Sequence, residues 1–449
     1  MRVLLLVITL FATAPLRAQS AFTLPAPGQM AARVVSPSDS TQRYAVYLPS
    51  AYAAERTWPV LFVMDPRGRA TFALERFRPA AERYGWILLS SYNTLSDADT
   101  SAAANERALD AMIADAQASL RIDTRRVYLA GFSGTARFAW VAGEALAGHV
   151  AGVIGVGAGF PGASVAWGRR VAERKAFPFF GVVGATDFNY EEVVALDSTL
   201  AAIGLEHGLE VFDGAHQWPP PDVATRAVEW MELRAMRAGL RPPDEQWMDS
   251  LRAARIVEAA ALESASPLEA LHAYRAVAAD FAGAGDVAGA EARAAALARD
   301  PRVRRAQRAE RDGRARVEAF RRTLAELVRR IDEDTRPPSL RESLARIDLP
   351  ALRRQVADSA DVHGSRAARR MLSIASTHTG YYAPERDLER RRPTRALAQL
   401  RVAEAITPGD PNLCARRLAA YAQLRAPLPL VREFRCVAHA LSPGSPRSR

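Results

Sequence analysis

Two different patterns of apolar and polar residues divide this chain near residue 245. Before that point, short apolar runs alternate with stretches whose apolar residues recur at the spacing of an amphipathic helix. The runs that predict strands are residues 44–48, 60–64, 86–90, 127–130, 150–156, 178–185 and 209–212. After that point helix formers predominate, and no convincing strand pattern follows. The patterns predict an α/β fold with a doubly wound, mostly parallel sheet, followed by an all-α domain.

The boundary between these two parts is a short linker. Residues 239–244 read Gly-Leu-Arg-Pro-Pro-Asp and end a helix that is predicted to begin near Ala224. A chain of 449 residues is too long for one typical domain. We therefore expect an α/β domain over residues 21–245 and a helical domain over residues 246–449.

The most informative segment lies at the end of one predicted strand. Residues 127–136 read VYLAGFSGTA, an apolar run that breaks at Gly131-Phe132-Ser133-Gly134 before a helix pattern of small residues. A strand, a tight turn and a helix in this order lift the serine hydroxyl clear of the sheet edge. A serine beside glycine also occurs in ordinary turns, but this placement favours a nucleophile.

Two further residues lie where a nucleophilic serine needs them. Asp187 comes just after the predicted strand 178–185, and His216 comes just after the strand 209–212. Ligands bind beyond the carboxyl ends of the strands in an open parallel sheet, so Ser133, Asp187 and His216 are expected to converge there. The simpler alternatives are that Asp187 caps a helix starting near Tyr190 and that His216 stacks on Trp218.

Other acids and histidines fit these roles less well. His149 precedes the expected acid in the chain, and His207 lies at the start of a strand, which is the wrong edge of the sheet. The substitute acids are Glu191, Glu192, Asp197 and Asp213. The first three fall in a predicted helix, and the last is very close to His216 in sequence.

Together these motifs resemble the α/β-hydrolase superfamily, and more narrowly the secreted esterases related to polyhydroxybutyrate depolymerases and feruloyl esterases. Those proteins carry a similar Asp-x-x-Arg-Val-Tyr run before the serine turn, here residues 123–128. The resemblance implies acyl transfer by a Ser-His-Asp triad. It also implies an oxyanion hole of backbone N–H groups, one from Gly134 and a second placed at Arg67, because Pro66 has no N–H.

The chain departs from those esterases at two places. Thr135 stands where they usually have Gly, and Asp65-Pro66 replaces their His-Gly in the oxyanion loop. A decayed enzyme that acts as a binding or scaffold protein through its helices is therefore one alternative function. A serine peptidase of the same fold is another, although such relatives usually carry a large gating domain.

The site is expected to be open and shallow, because only a short segment, residues 160–176, separates two consecutive strands. The candidates for lining residues are Trp167, Phe188, Tyr190 and Trp218. Ordinary packing is the alternative interpretation for each of them.

The first 20 residues predict export from the cytoplasm. Arg2 precedes a short apolar run, and small residues follow before Ser20, as in a cleavable secretory signal peptide. We expect a periplasmic or secreted protein without a transmembrane segment in the mature chain.

The helical part contains a repeat. The segment AEAITPG at residues 403–409 is echoed by AHALSPG at residues 438–444, an offset close to the length of a tetratricopeptide unit. Such arrays often bind a protein partner, and an appendage that stabilises the enzyme is the alternative.

The two cysteines, Cys414 and Cys436, flank the expected helix turn at Ala426-Pro427. They are therefore predicted to lie side by side and to form a disulfide in an oxidising compartment. The alternative is that both are buried thiols.

Composition and charge exclude several function classes. The net charge is +10, and nearly all the basic residues are arginines, mostly beyond residue 245. Solvated helix faces are the simplest explanation, and no nucleic-acid recognition motif is present. No metal-binding or phosphate-binding motif occurs, so we expect neither a metal nor a cofactor. The predicted substrate is a small-molecule or polymer-linked ester.

Overall fold

The computed structural model of the protein describes residues 24–96, 101–160 and 177–425. The predicted signal segment 1–20, Trp167, Cys436 and the second copy of the repeat lie outside these residues, as does most of the segment 160–176.

One sheet of eight strands runs through the first part of the chain. Its strands are β1 Met30–Val35, β2 Arg43–Tyr47, β3 Trp58–Met64, β4 Ile87–Ser91, β5 Ile122–Phe132, β6 Gly152–Val156, β7 Phe179–Gly184 and β8 His207–Phe212. They are ordered β1-β2-β4-β3-β5-β6-β7-β8. The first strands pair antiparallel, and β4, β3, β5 and β6 pair parallel. The predicted α/β fold is confirmed.

Strand β1 was not predicted from the sequence. Only Val34 of its six residues is buried, because it is the edge strand and its apolar and polar residues do not alternate. By contrast, every residue of β3 is buried, which is why the continuous apolar run of a central parallel strand is easy to recognise.

Five helices accompany the strands in the described part of residues 24–240. They are α1 Ala70–Tyr84, α2 Ser101–Ser119, α3 Gly134–Ala145, α4 Tyr190–Ile203 and α5 Pro221–Arg237. Two buried glutamates of α5 are matched by aromatic donors: Glu229 accepts from Tyr84 Oη and Glu232 from Trp86 Nε1, each at 2.6 Å. These bonds satisfy the buried carboxylates.

Helices make up the rest of the described chain. They are α6 Glu245–Leu262, α7 Pro267–Asp280, α8 Ala288–Arg299, α9 Pro301–Glu333, α10 Leu340–Arg346, α11 Leu349–Ala357, α12 Val362–Thr377, a π-helical turn His378–Tyr382, α13 Ala383–Glu389, α14 Pro393–Ile406 and α15 Pro411–Leu424. Side-chain caps mark where several begin: Asp300 accepts from Arg302 N at the start of α9, and Ser339 forms a capping box with Glu342.

Helix α9 is the longest helix and carries one apolar stripe. Its buried residues recur every three or four positions from residue 317 onward: Val317, Phe320, Leu324, Leu327 and Ile331. This stripe packs in one core with buried residues of α12, such as Met371 and Ile374. The stripe explains how an otherwise very polar helix, rich in arginine, is held in the fold.

The described residues form two compact units. The first extends to Phe180 and includes Thr199–His207 and Pro220–Leu240. The second contains Gly181–Ser198, Gly208–Pro219 and the described chain from Arg241 onward. The segments that follow β7 and β8 thus belong to the same unit as the C-terminal helices.

Two predictions about the helical part remain predictions. The first copy of the repeat lies at the end of α14, but its echo is outside the described residues. Cys414 on α15 is buried, while its predicted partner Cys436 lies outside the described residues. Among the described residues, no helix combines the length and the apolar character needed to cross a bilayer.

Candidate active site

The Ser133 turn has the geometry of a strained elbow between β5 and α3. Ser133 has φ 55° and ψ −125°, a left-handed backbone that costs a non-glycine residue roughly 1–3 kcal/mol. Its N–H donates to Val156 O at the end of β6 (2.8 Å), and its carbonyl accepts from Ala136 N (2.9 Å). Backbone strain of this kind persists only where the surroundings enforce it, and it concentrates at functional sites.

Close backbone approach inside the elbow requires Gly131. A Cβ at this position would lie 2.2 Å from the carbonyl oxygen of Thr135. Because Gly131 has no side chain, the end of β5 and the first turn of α3 can lie in contact.

Thr135 is built into the elbow through its hydroxyl. The residue is completely buried, and its Oγ1 lies 2.6 Å from Met64 O and 2.8 Å from Phe132 O. The same oxygen accepts the N–H of Phe132 at 3.1 Å. The larger side chain that replaces the usual Gly is thus accommodated, and it ties the turn to the end of β3.

The loop after β3 is organised by a buried carboxylate. Asp65 has no exposed surface, and its Oδ1 accepts the backbone N–H groups of Arg67 (2.8 Å) and Arg69 (3.1 Å). The Arg69 guanidinium forms an ion pair with the same carboxylate at 2.8 Å. Asp65 therefore organises the backbone of this loop.

The predicted oxyanion donors have different surroundings. Gly134 is the first residue of α3, and the N–H groups of a first helical turn have no partner within the helix. The Arg67 N–H already donates to Asp65 Oδ1. Its oxyanion role stays a prediction, and it requires this N–H to be shared between the carboxylate and a substrate oxygen.

Asp187 and His216 lie together in the second unit. Nδ1 of His216 is 2.9 Å from both carboxylate oxygens of Asp187, and the Asp187 side chain is 1 % exposed. Since the carboxylate only accepts, Nδ1 carries the proton and the lone pair is on Nε2. This is the tautomer that a general base needs.

The two loops that carry this pair are held by backbone contacts at the ends of β7 and β8. Ala185 N donates to Phe212 O at 2.8 Å, and Thr186 N donates to Gly214 O at 2.9 Å. A Cβ on Gly184 would come within 2.4 Å of the carbonyl oxygens of Gly214 and Ala215. Gly184 thus permits the approach that brings acid and histidine together, a role that sequence reasoning missed.

Phe188 is the aromatic residue beside the pair. Its ring centroid is 4.1 Å from that of the His216 ring, so Phe188 packs against His216. Tyr190 and Trp218 are both buried, which fits the packing interpretation of these two candidates. The substitute acids Glu191, Glu192 and Asp197 lie on α4, and Asp213 is exposed.

Comparison with known proteins gives only distant likenesses. No model of a protein family and no curated protein sequence matches the chain. Among solved structures, a ferulic acid esterase is 14% identical over 42% of this chain and 91% of its own, with a TM-score of 0.36. An S-formylglutathione hydrolase from Staphylococcus aureus is 15% identical over 47% of this chain and 99% of its own, with a TM-score of 0.35. Identities and TM-scores this low assign no function to this chain.

Proposed function

We propose that the protein is a serine hydrolase that cleaves carboxylic esters through Ser133, His216 and Asp187. The observation that carries the proposal is the buried Asp187 carboxylate, 2.9 Å from Nδ1 of His216. The strained backbone of Ser133, at the start of α3, supports it. Strain is the expected cost of presenting a nucleophile on a strand-to-helix turn.

In this proposal His216 transfers protons and Ser133 forms the covalent intermediate. Nε2 of His216 takes the Ser133 proton as the hydroxyl oxygen attacks the ester carbonyl, and it then protonates the departing alcohol. A water then loses its proton to the same nitrogen and attacks the acyl carbon, and the bond to Ser133 breaks as Ser133 regains that proton from His216. Asp187 stays ionised, orients the ring and stabilises the imidazolium.

The charge that develops on the ester oxygen needs donors. The N–H of Gly134 at the start of α3 is one, and the Arg67 N–H in the loop organised by Asp65 is proposed as the second. The helix N-terminus adds a favourable electrostatic field for an oxyanion.

The accommodation of Thr135 supports an active enzyme over a decayed one. Its hydroxyl makes the contacts that hold the turn to Met64 O and Phe132 N, so the departure from Gly does not by itself disrupt the elbow. From the predicted signal segment 1–20 we also propose that the enzyme acts in the periplasm or outside the cell. N-terminal sequencing of the exported protein would test that placement.

The proposal is tested by turnover of short-chain aryl esters beside peptide anilides. We expect ester hydrolysis that is lost in Ser133→Ala and in His216→Ala. The exposed His149 provides a matched control, since His149→Ala removes a histidine outside the proposed triad and should leave turnover unchanged.

Three results would overturn or redirect the proposal. Faster cleavage of the anilides than of the esters would make the protein a peptidase. Ester turnover that survives Ser133→Ala would exclude the serine mechanism. A folded wild-type protein that turns over neither substrate would favour a binding or structural role for the helical part.

A further inference from the structure

Helices from the C-terminal part of the chain contact the segment that carries the proposed acid. Phe188 packs against the core of α9 and α12, which includes Phe320, Met371 and Ile374. The Arg321 guanidinium on α9 donates to the carbonyl oxygen of Phe188. All of these residues belong to the second compact unit, so these contacts lie within one body.

Three charged side chains secure the first turn of α4, directly after this segment. Glu191 forms ion pairs with Arg370 on α12 at 2.7 Å and with Arg314 on α9 at 2.8 Å. The Arg370 side chain is only 5 % exposed, so its charge is compensated in a largely dry environment. A buried pair of this kind stabilises one geometry strongly, since the loss of either partner leaves an uncompensated charge.

Tyr190 adds an aromatic and a hydrogen-bonding contact to the same place. The Arg370 guanidinium lies 4.1 Å from the centre of the Tyr190 ring, a cation–π geometry. The Tyr190 hydroxyl donates to Glu310 on α9 at 2.9 Å. Residues 188, 190 and 191, which closely follow Asp187, therefore all contact α9 and α12.

We propose that α9 and α12 position the acid–base pair, with Phe188 as the positioning residue. The Phe188 ring contacts His216, and the residue also packs against the core of α9 and α12, so it couples the position of these helices to the imidazole. This inference rests on the proposed function, because it assigns the helical part a role in the same site. The helical part is then a component of the active site and not only an appendage or a partner-binding array.

A loop that carries a catalytic acid needs such support. Displacement of a reacting group by about 1 Å can lower a rate by about 100-fold. Side chains that hold a catalytic group must themselves be locked by packing and hydrogen bonds. Phe188, bound through its ring and its carbonyl oxygen, meets that requirement for His216 and Asp187.

The kinetic test compares Phe188→Ala with Phe188→Leu and with a matched core variant. We expect Phe188→Ala to lower kcat by about 100-fold with KM little changed, because the pair loses its orientation and not its substrate. Phe188→Leu restores apolar contact with the helical core and should recover part of kcat. Leu400→Ala opens a cavity in a separate helical cluster, formed with Ala403 and Leu413, and should leave kcat unchanged.

A second pair of variants removes the charged contacts. We expect Arg370→Met to lower kcat, as Phe188→Ala does. Arg321→Met should lower kcat by a smaller factor. Circular dichroism and the urea midpoint of each variant show whether it folds. If Phe188→Ala fails to fold, Phe188→Leu and Arg321→Met carry the test.

A spectroscopic readout tests the inference without any turnover. In the Ser133→Ala variant with ¹⁵N-labelled histidine, the NMR spectrum should show a signal for the Nδ1 proton of His216 in a strong hydrogen bond. The signal is assigned by its absence when His216→Gln is added. We expect Phe188→Ala to broaden or shift that signal, and Leu400→Ala to leave it in place. This result holds even if the wild type proves inactive, so failure of the proposed function and failure of the inference are distinguishable.

Unchanged kcat and an unchanged His216 signal in folded Phe188→Ala and Arg370→Met would overturn the inference. An equal loss of kcat in Leu400→Ala would also overturn it, since the effect would then reflect general stability of the helical part.

Discussion

The Ser133 elbow and the Asp187 segment are supported in different ways. The elbow is fixed by the strands next to it: Thr135 Oγ1 binds Met64 O at the end of β3, and Val156 O at the end of β6 accepts from Ser133 N. The Asp187 segment has backbone contacts at the ends of β7 and β8 as well, but it is also bound by side chains that lie 120 to 179 residues further along the chain, as in the Tyr190–Glu310 and Glu191–Arg370 contacts. The proposed nucleophile is held at strand ends, whereas the proposed acid is held by the C-terminal helices in addition.

The largest effect should come from the acid itself. Asp187→Asn keeps the size of the side chain but can donate to Nδ1 of His216, which favours the wrong tautomer, so kcat should fall by about 10⁴-fold. Steady-state ester hydrolysis measures this loss. A fall of less than about tenfold, far below that expectation, would show that another acid orients the histidine, and Glu191→Gln would then be the next variant.

The elbow side of the comparison is tested at Thr135. Thr135→Val keeps the shape but leaves Met64 O and Phe132 N without their buried partner, which should lower the free energy of unfolding by about 1–3 kcal/mol. Thr135→Ser retains the hydroxyl and should lose less. Equal urea midpoints for the Val variant and the wild type would mean that the hydroxyl does not hold the turn.

The pH dependence of the free energy of unfolding tests a buried carboxyl of the second unit, Asp387, that lies away from the Asp187 segment. Burial, together with the neighbouring Asp332 carboxyl, raises the pKa of Asp387 to about 6. An aspartate in an unfolded chain has a pKa of about 4. Between these values the folded protein holds a proton that the unfolded chain has lost. The free energy of unfolding should therefore decrease as pH rises through this window.

Asp387→Asn removes that contribution, so its urea midpoint should decline less than that of the wild type between about pH 4 and pH 6. Burial lowers the pKa of His272 and of His378 in the same unit, and these histidines act in the opposite direction. The difference between variant and wild type isolates Asp387, whose nearest charges are Asp332, Arg386 and Arg392. Parallel pH profiles for the two proteins would contradict the assignment.

The smallest effect is expected on the exposed face of α9. Arg329 pairs with Glu326 at 2.8 Å and with Glu333 at 3.1 Å, but all three side chains are exposed. Such surface pairs contribute little, so Arg329→Met should change stability by less than about 1 kcal/mol and leave kcat unchanged. If Arg329→Met lowered kcat as much as Arg370→Met does, the effect of Arg370 could not be attributed to its contacts with the Asp187 segment.

Much of the fold could be predicted because it depends on local pattern. The apolar runs of β3 and β5 and the break at Gly131 are visible in short windows of sequence. Edge strand β1 escaped prediction because only one of its residues is buried. The fate of residues 188–191 could not be predicted, since their partners Arg321 and Arg370 are ordinary members of an arginine-rich helical sequence.

The most direct measurement is the rate at which a fluorophosphonate phosphonylates Ser133, with release of fluoride and with the modified peptide identified by mass spectrometry. We predict one adduct, on Ser133, that is lost in His216→Ala, formed about 100-fold more slowly in Phe188→Ala and formed normally in Leu400→Ala. A folded wild-type protein that forms no adduct, or forms it on another residue, would exclude Ser133 as the nucleophile.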